Sequence, residues 1–249
     1  MTRAFYVLLA TAIYIFFFAT FLYLIGFVAG LPQLPTNVDT NPFWGISGPV
    51  ALAVPIDIAL ITLFGLQHSV MARPGFKAVW TRIVPKPIER AIYVLSASLV
   101  LILLLAFWHP VVGTLWQVDA PIGRYVLWGV FAAGWGIVLL STFLLNHFEL
   151  FGLSQTILNL RNRTPAAPQF RLPFFYKLVR HPLYSGFVIA LWATPVMSYG
   201  HALLAFGLTV YILIAIQYEE RDLIDEFGDE YRGYRQRVGS LMPGVGRVK

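Results

Sequence analysis

The chain has no cysteine. Disulfides, thiolate nucleophiles and thiolate-bound metals are therefore excluded, and any sulfur chemistry has to arrive with a ligand. Charge is scarce as well: Asp, Glu, Lys and Arg make up 12% of the 249 residues, against about 25% in soluble domains. Mean hydropathy is +0.70. These shortages exclude a water-soluble globular class and point to an integral membrane protein. The sequence also lacks internal repeats and low-complexity segments. The first apolar run is too long for a removable signal peptide and has no small-residue cleavage site, so it reads as the first span.

Apolar runs cover about Ala4–Ala29, Ser47–Val70, Ala91–Phe107 and Ile122–Leu145, followed by a hairpin over 183–217. Their lengths predict an all-α polytopic membrane helix bundle of five to six helices, with the hairpin counted as two. One domain over 1–249 accommodates it: a four-helix membrane core at 1–145, then 146–249 with a loop, the hairpin and a basic tail.

The net charge of +6 is distributed for topology, which disfavours nucleic acid as a partner. Arg73, Lys77, Arg82, Lys86 and Arg90 sit in one loop. Arg161, Arg163, Arg171, Lys177 and Arg180 sit in another, and Arg221, Arg232, Arg235, Arg237, Arg247 and Lys249 in the tail. The connections 30–46 and 108–124 hold only Arg124. The positive-inside rule then puts Arg3, both basic loops and both termini in the cytoplasm. Pro32, Pro35, Pro42, Trp44, Trp108 and Trp116 on the outer side read as turn chemistry and interfacial aromatics. His109 and His201 belong to that outer side and carry no expected chemistry.

The densest polar pattern is Arg180-His181-Pro182-Leu183-Tyr184-Ser185-Gly186, answered by Glu219-Glu220 after an apolar run. Folding that run back at Met197–Gly200 leaves roughly 18 to 20 residues on each side, hence two helices of about equal rise. About 15 apolar residues per arm give roughly 22 Å, less than a full crossing of about 30 Å. The charged ends then meet at one membrane face, in a cytoplasmic cofactor pocket. Arg180 offers a fork of donors for a carboxylate. His181 adds a donor or acceptor, and the helix start favours an anion. Glu219 or Glu220 suits a ribose diol or an amine, while Tyr184 and Gly186 leave room for a flat group. A ligand combining an α-amino acid, a ribose and an adenine meets all these demands. Helix-end anchoring by snorkelling is the competing explanation.

Arg180-His181-Pro182-x-Tyr184-x-Gly186, Glu219-Glu220-x-x-Leu223 and Phe227-Gly228-x-x-Tyr231-x-x-Tyr234 resemble the C-terminal signature of the membrane methyltransferases. That superfamily includes isoprenylcysteine carboxyl methyltransferase and phospholipid methyltransferases. The resemblance implies S-adenosylmethionine as cofactor, bound by Arg180, His181, Tyr184, Gly186, Glu219 and Glu220, with the tail from Tyr231 packed over the pocket. Gln67-His68-Ser69-Val70-Met71-Ala72-Arg73-Pro74 and Asn146-His147-Phe148-Glu149-Leu150-Phe151-Gly152-Leu153-Ser154-Gln155 resemble the bacterial methanethiol S-methyltransferases. Gln155 is counted with the cofactor-binding set. The implied reaction converts methanethiol to dimethyl sulfide in a bacterial inner membrane.

Methyl transfer to a thiol is an in-line displacement by the thiolate, so a general base helps. His147, His68 and Glu149, at cytoplasmic span ends, and Asp57, within span two, are the candidates. Asp57 and His68 share a helix face but stand about 16 Å apart along it. A helix-end role for His68, an interfacial pair for His147–Glu149 and a hydrogen-bonded neutral Asp57 remain open alternatives. No recognisable metal-ligand set is present. The loop from Thr156 to Pro173 is long enough to act as a cofactor lid or as a plain connector. Two other readings stay in play. One is another acceptor on the same scaffold: an isoprenylcysteine carboxylate, a phospholipid amine or hydrogen sulfide. The other is a non-enzymatic NnrU-like membrane protein.

Overall fold

The computed structural model describes residues 2–40, 50–167 and 169–247. Pro42, Trp44, the start of the second apolar run at 47–49, Pro168 and Lys249 lie outside the described residues. Four helices match the four apolar runs of the first part of the chain: α1 (Thr2–Val28), α2 (Val50–Ala72), α4 (Lys86–Phe107) and α5 (Pro121–Leu144). The short helix α3 (Pro74–Trp80) opens on a proline, whose missing N–H costs nothing at a first turn. Then follow α6 (His147–Leu150), α7 (Leu153–Leu160), a 3₁₀ turn (Phe174–Lys177), α8 (Pro182–Trp192), α9 (Tyr199–Phe227) and α10 (Asp229–Arg237). Among the described residues, strand is confined to β1 (Thr114–Gln117) and β2 (Val196–Ser198), which pair with each other.

Helices α1, α2, α4, α5 and α9 are long and apolar enough to cross a membrane. Leu8, Leu66, Leu140 and Ile214 on them are exposed. In a helix whose backbone bonds are internally satisfied, such residues meet acyl chains rather than water. The chain is an all-α integral membrane bundle.

The C-terminal hairpin differs from the expected pair of equal arms. The first arm, α8, has 11 residues. The second, α9, has 29 and continues past Glu219 and Glu220. The asymmetry arises at Ala193–Ser198, where the chain leaves the helix and becomes extended. Val118 N–H donates to the Pro195 carbonyl at 2.9 Å, and the Trp116 indole N–H donates to the Thr194 carbonyl at 3.0 Å. These bonds replace the helical partners that the first arm gives up.

The chain forms two compact units. The first comprises Met1–Leu115, Asn146–Ala166 and Ser198–Leu204; the second comprises Trp116–Leu145, Ala167–Met197 and Ala205–Lys249. In the first, Ala10 and Ile13 of α1 pack with Met71 of α2, Ile88, Ala91, Tyr93 and Val94 of α4, and Leu153 of α7. Gly152, at φ +89°, lets α7 approach α4: a Cβ there would lie 2.6 Å from the Ala91 nitrogen. Arg90 ties the same junction by donating from Nε to the Leu150 carbonyl at 2.7 Å.

The second unit is built on α5 against α8. Gly134 and Gly186 face each other so closely that a Cβ on Gly186 would lie 2.7 Å from the Gly134 carbonyl oxygen. Small residues at such a crossing let two backbones approach and gain dispersion contacts inside a bilayer.

Candidate functional site

Helix α8 starts at Pro182, and the two residues before it are fixed by the tail. Arg180 N–H donates to the Gly239 carbonyl at 2.8 Å and His181 N–H to the Ser240 carbonyl at 3.2 Å. Val179 and Gly239 form a parallel bridge. The backbone ahead of α8 is thus strapped to residues 239–240, and Ser185 adds a hydroxyl bond to the Leu241 carbonyl at 2.7 Å.

The side chains then converge. Arg180 Nε donates to Glu220 Oε1 at 2.7 Å, and His181 Nε2 stands 3.1 Å from the same oxygen. Glu220 Oε2 lies 2.9 Å from Arg235 Nε. One carboxylate therefore joins α8, α9 and α10 through three partners. Arg180, His181 and Glu220 are each 5–6% exposed. Burial at that level is stable only where the charges are paired and hydrogen-bonded, as these are. Glu219 is the contrasting member: its side chain is 42% exposed, and its Oε2 lies 3.9 Å from His181 Nδ1. Tyr184 stacks on the His181 ring with centroids 5.7 Å apart.

The Arg180 guanidinium is largely committed within the protein. Besides Glu220, it donates from Nη1 to the carbonyls of Arg235 at 3.2 Å and Val238 at 2.5 Å. Nη2 donates to the carbonyl of Gly246 at 3.1 Å. Gly186 is buried in the α5–α8 crossing.

Three tyrosines close the cluster. Tyr234 donates its hydroxyl to the Tyr176 carbonyl. Burial raises the phenol pKa of Tyr231, and pushes that of Tyr234 up to about 12. Both stay neutral at any physiological pH. Phe170 packs its ring against Phe227, Tyr231 and Tyr234, so the end of the long basic loop belongs to this cluster. The start of that loop is helical, since α7 runs to Leu160.

A cavity of about 260 Å³ opens beside Glu220, lined also by Gln217, Arg221 and Arg235. Gln217 carries no signal in the sequence, and Arg221 is marked there only as one of the tail charges. They lie three residues before and one after Glu220 on the continuing helix α9, a spacing that becomes informative only once α9 is known to extend past Tyr218. Arg235 stood out only as one of many tail charges.

The remaining candidates belong to the first unit. His147 follows Asn146, which holds the left-handed conformation at φ +82°. His147 is 4% exposed. Nε2 lies 2.7 Å from the Tyr14 hydroxyl, and the edges of Phe148 and Phe151 enclose it at 5.4 and 4.9 Å. Desolvation by these neighbours lowers the imidazole pKa. Tyr14 was not anticipated, because nothing marks one tyrosine in an aromatic-rich span until α1 is placed beside α6.

Glu149 is exposed and accepts from Asn146 Nδ2 at 2.7 Å. Gln155 Nε2 donates to the Glu149 carbonyl at 3.0 Å, and its Oε1 is buried with no hydrogen-bond partner among the described residues. His68 lies between the rings of Phe64 and Tyr93, at 5.5 and 5.3 Å. Asp57 is fully buried and accepts the backbone N–H of His109 at 2.9 Å. Its visible work is to hold the segment after α4. Among the described residues, no group of three or more His, Asp or Glu side chains gathers around a potential metal position.

Comparison with known proteins finds relatives that span most of the chain. The chain is 52% identical over 236 residues to a methanethiol S-methyltransferase of a Pseudomonas species, covering 95% of this chain and 89% of the relative. It is 46% identical over 243 residues to the methanethiol S-methyltransferase of Mycobacterium tuberculosis, covering 98% of each. A nurim homolog of Drosophila pseudoobscura pseudoobscura is 32% identical over 183 residues, covering 71% of this chain and 70% of the relative. No family model and no solved structure matches.

Proposed function

This chain belongs to the methanethiol S-methyltransferase family, and on that premise we propose that it methylates methanethiol with S-adenosylmethionine at the cytoplasmic face of a bacterial inner membrane. The products are dimethyl sulfide, S-adenosylhomocysteine and a proton. The observation that carries the cofactor assignment is the buried Arg180–Glu220–His181 cluster beside a cavity of about 260 Å³ lined by Gln217, Glu220, Arg221 and Arg235. Its polar groups fit an amino-acid and nucleoside ligand: guanidinium groups for a carboxylate, the Glu220 carboxylate for an amine or a ribose diol, and the Gln217 amide for either. The bound sulfonium supplies an electrophilic methyl group.

The protein's own part is to hold the reactants in line, to exclude water and to take the thiol proton. His147 is our candidate for that proton. Its burial favours the neutral, proton-accepting ring, and Tyr14 at 2.7 Å fixes its orientation. The aromatic enclosure of Phe148 and Phe151 suits a small uncharged thiol better than a charged acceptor. His68, Glu149 and Asp57 rank lower. His68 sits between two rings, Glu149 is exposed, and Asp57 is occupied with the backbone after α4.

Placement in the cytoplasmic membrane with both termini inside rests on charge. The basic loops and the tail would otherwise have to cross the bilayer. Headspace gas chromatography of cells expressing the protein and supplied with methanethiol tests the reading. Dimethyl sulfide well above an empty-vector control is the expected result. Dimethyl sulfide at the control level rejects methanethiol as the acceptor.

A further inference from the structure

Two arginines near the cavity differ in what they have left to offer. Four of the five N–H donors of Arg180 are engaged, by Glu220 Oε1 and the carbonyls of Arg235, Val238 and Gly246. Its side chain is 3% exposed, and it does not line the cavity. Arg235 does line it. Its Nε is held 2.9 Å from Glu220 Oε2, and its side chain is 24% exposed. Among the described residues, the two Nη groups of Arg235 make no hydrogen bond. Arg221 also lines the cavity, resting over the Tyr218 ring at 5.5 Å.

We infer that Arg235, assisted by Arg221, is the carboxylate receptor of this cavity, and that Arg180 is a positioning residue that holds Arg235 in place. The ligand group is the α-carboxylate of S-adenosylmethionine, so the inference rests on the methyl-donor reading given above. The ion pair with Glu220 lies at Nε of Arg235, without hydrogen-bond alignment, and leaves the paired Nη donors for a bidentate carboxylate. Arg180 acts one step back. By binding the Arg235 and Val238 carbonyls, it fixes the end of α10 and thus the base of the Arg235 side chain. The tail from 238 to 246 is then part of the site's frame, although no tail side chain beyond Arg235 lines the cavity.

The test is calorimetric binding to the purified full-length protein in detergent, with S-adenosylmethionine and its decarboxylated analogue, which keeps the sulfonium and adenosine. Wild-type protein is expected to prefer the carboxylated ligand by about ten- to hundredfold, the range of a hydrogen-bonded charge pair. In Arg235→Gln that preference collapses toward one, while affinity for the decarboxylated analogue is nearly unchanged. Arg235→Lys keeps the charge but loses the fork, and regains only part of the preference. Arg180→Lys weakens both ligands alike and exposes the tail to trypsin. If Arg235→Gln does not fold, Arg221→Gln and Arg235→Lys carry the test, each with a reduced preference.

An unchanged preference in the Arg235 and Arg221 variants overturns the inference. So does a preference lost in Arg180→Lys while the tail stays protected, or a wild-type protein that binds both ligands equally. A wild-type protein that binds neither ligand rejects the methyl-donor reading itself, a separate outcome.

Discussion

Arg180 Nε and Glu220 Oε1 are 2.7 Å apart with side chains 3% and 7% exposed, although forty residues of chain separate them. The pair closes the α8–α9 hairpin and connects it to the tail, because Glu220 also holds Arg235 and Arg180 also holds the 238 and 246 carbonyls. Removing one partner leaves the other charged and buried. Arg180→Met and Glu220→Leu are each expected to lose about 3–5 kcal/mol of stability. Thermal unfolding in detergent measures it. The double variant should recover part of the loss, though not all, because the carbonyl partners of Arg180 remain unsatisfied. Additive losses would show that the two side chains are not coupled.

His147→Ala should keep S-adenosylmethionine binding and lose turnover by about 10²-fold or more, as expected for a general base. Tyr14→Phe removes only the hydrogen bond that orients the ring, so a smaller loss in kcat is expected at unchanged cofactor affinity. Steady-state rates alongside calorimetry separate the two effects. A His147→Ala variant with wild-type turnover removes it from the chemical step.

The environment of His147 also sets a pH dependence. Burial holds its pKa below the ordinary value near 6.5, so the neutral base persists through neutrality and is lost only in acid. With His147 taking the thiol proton, kcat/KM should be flat across neutrality and fall only in acid, at a pH lower than that of an ordinary imidazole. A rate that climbs about tenfold per pH unit through neutrality would instead mark thiolate formed in solution. Stability follows the same sign. The unfolded imidazole binds its proton first, so this contribution is complete above about 6.5 and declines as pH falls through the folded pKa. Thermal melts of the wild type and His147→Gln should therefore converge on acidification.

Gly186 tests a different link, from packing to site placement. An added methyl would lie 2.7 Å from the Gly134 carbonyl oxygen and 2.9 Å from Val138 Cγ2 and N. Backbone cannot yield there without separating α5 from α8. Gly186→Ala is expected to cost about 1–3 kcal/mol, read as a lower melting temperature. A neutral outcome would show that the α5–α8 crossing is looser than the structure has it.

What could be read from the sequence was whatever side chains announce. The span pattern needs only apolar runs and the placement of arginines. The meeting of Arg180 and His181 with Glu219 and Glu220 follows from charged residues that flank a single apolar segment, whatever the lengths of the two arms. Those lengths were not legible. Pro195 and Gly200 mark a turn, yet where α8 stops depends on the extended segment after Trp192 and its bonds to the chain around Trp116 and Val118. The tail's part was hidden for a related reason. The partners of Arg180 at 235, 238 and 246 are backbone carbonyls, which every residue has, so no residue type reveals them. Asp57 shows another side of this: a buried carboxylate can be read from the sequence, whereas the backbone N–H of His109 that Oδ1 accepts cannot.

The most direct test of methyl transfer follows the methyl group itself. Purified protein is given S-adenosylmethionine with a trideuterated methyl group together with unlabelled methanethiol, and the headspace is read by mass spectrometry. The expected product is dimethyl sulfide carrying one trideuterated methyl, formed in step with S-adenosylhomocysteine. Absence of the labelled product, with the protein folded and binding the labelled donor, would contradict it.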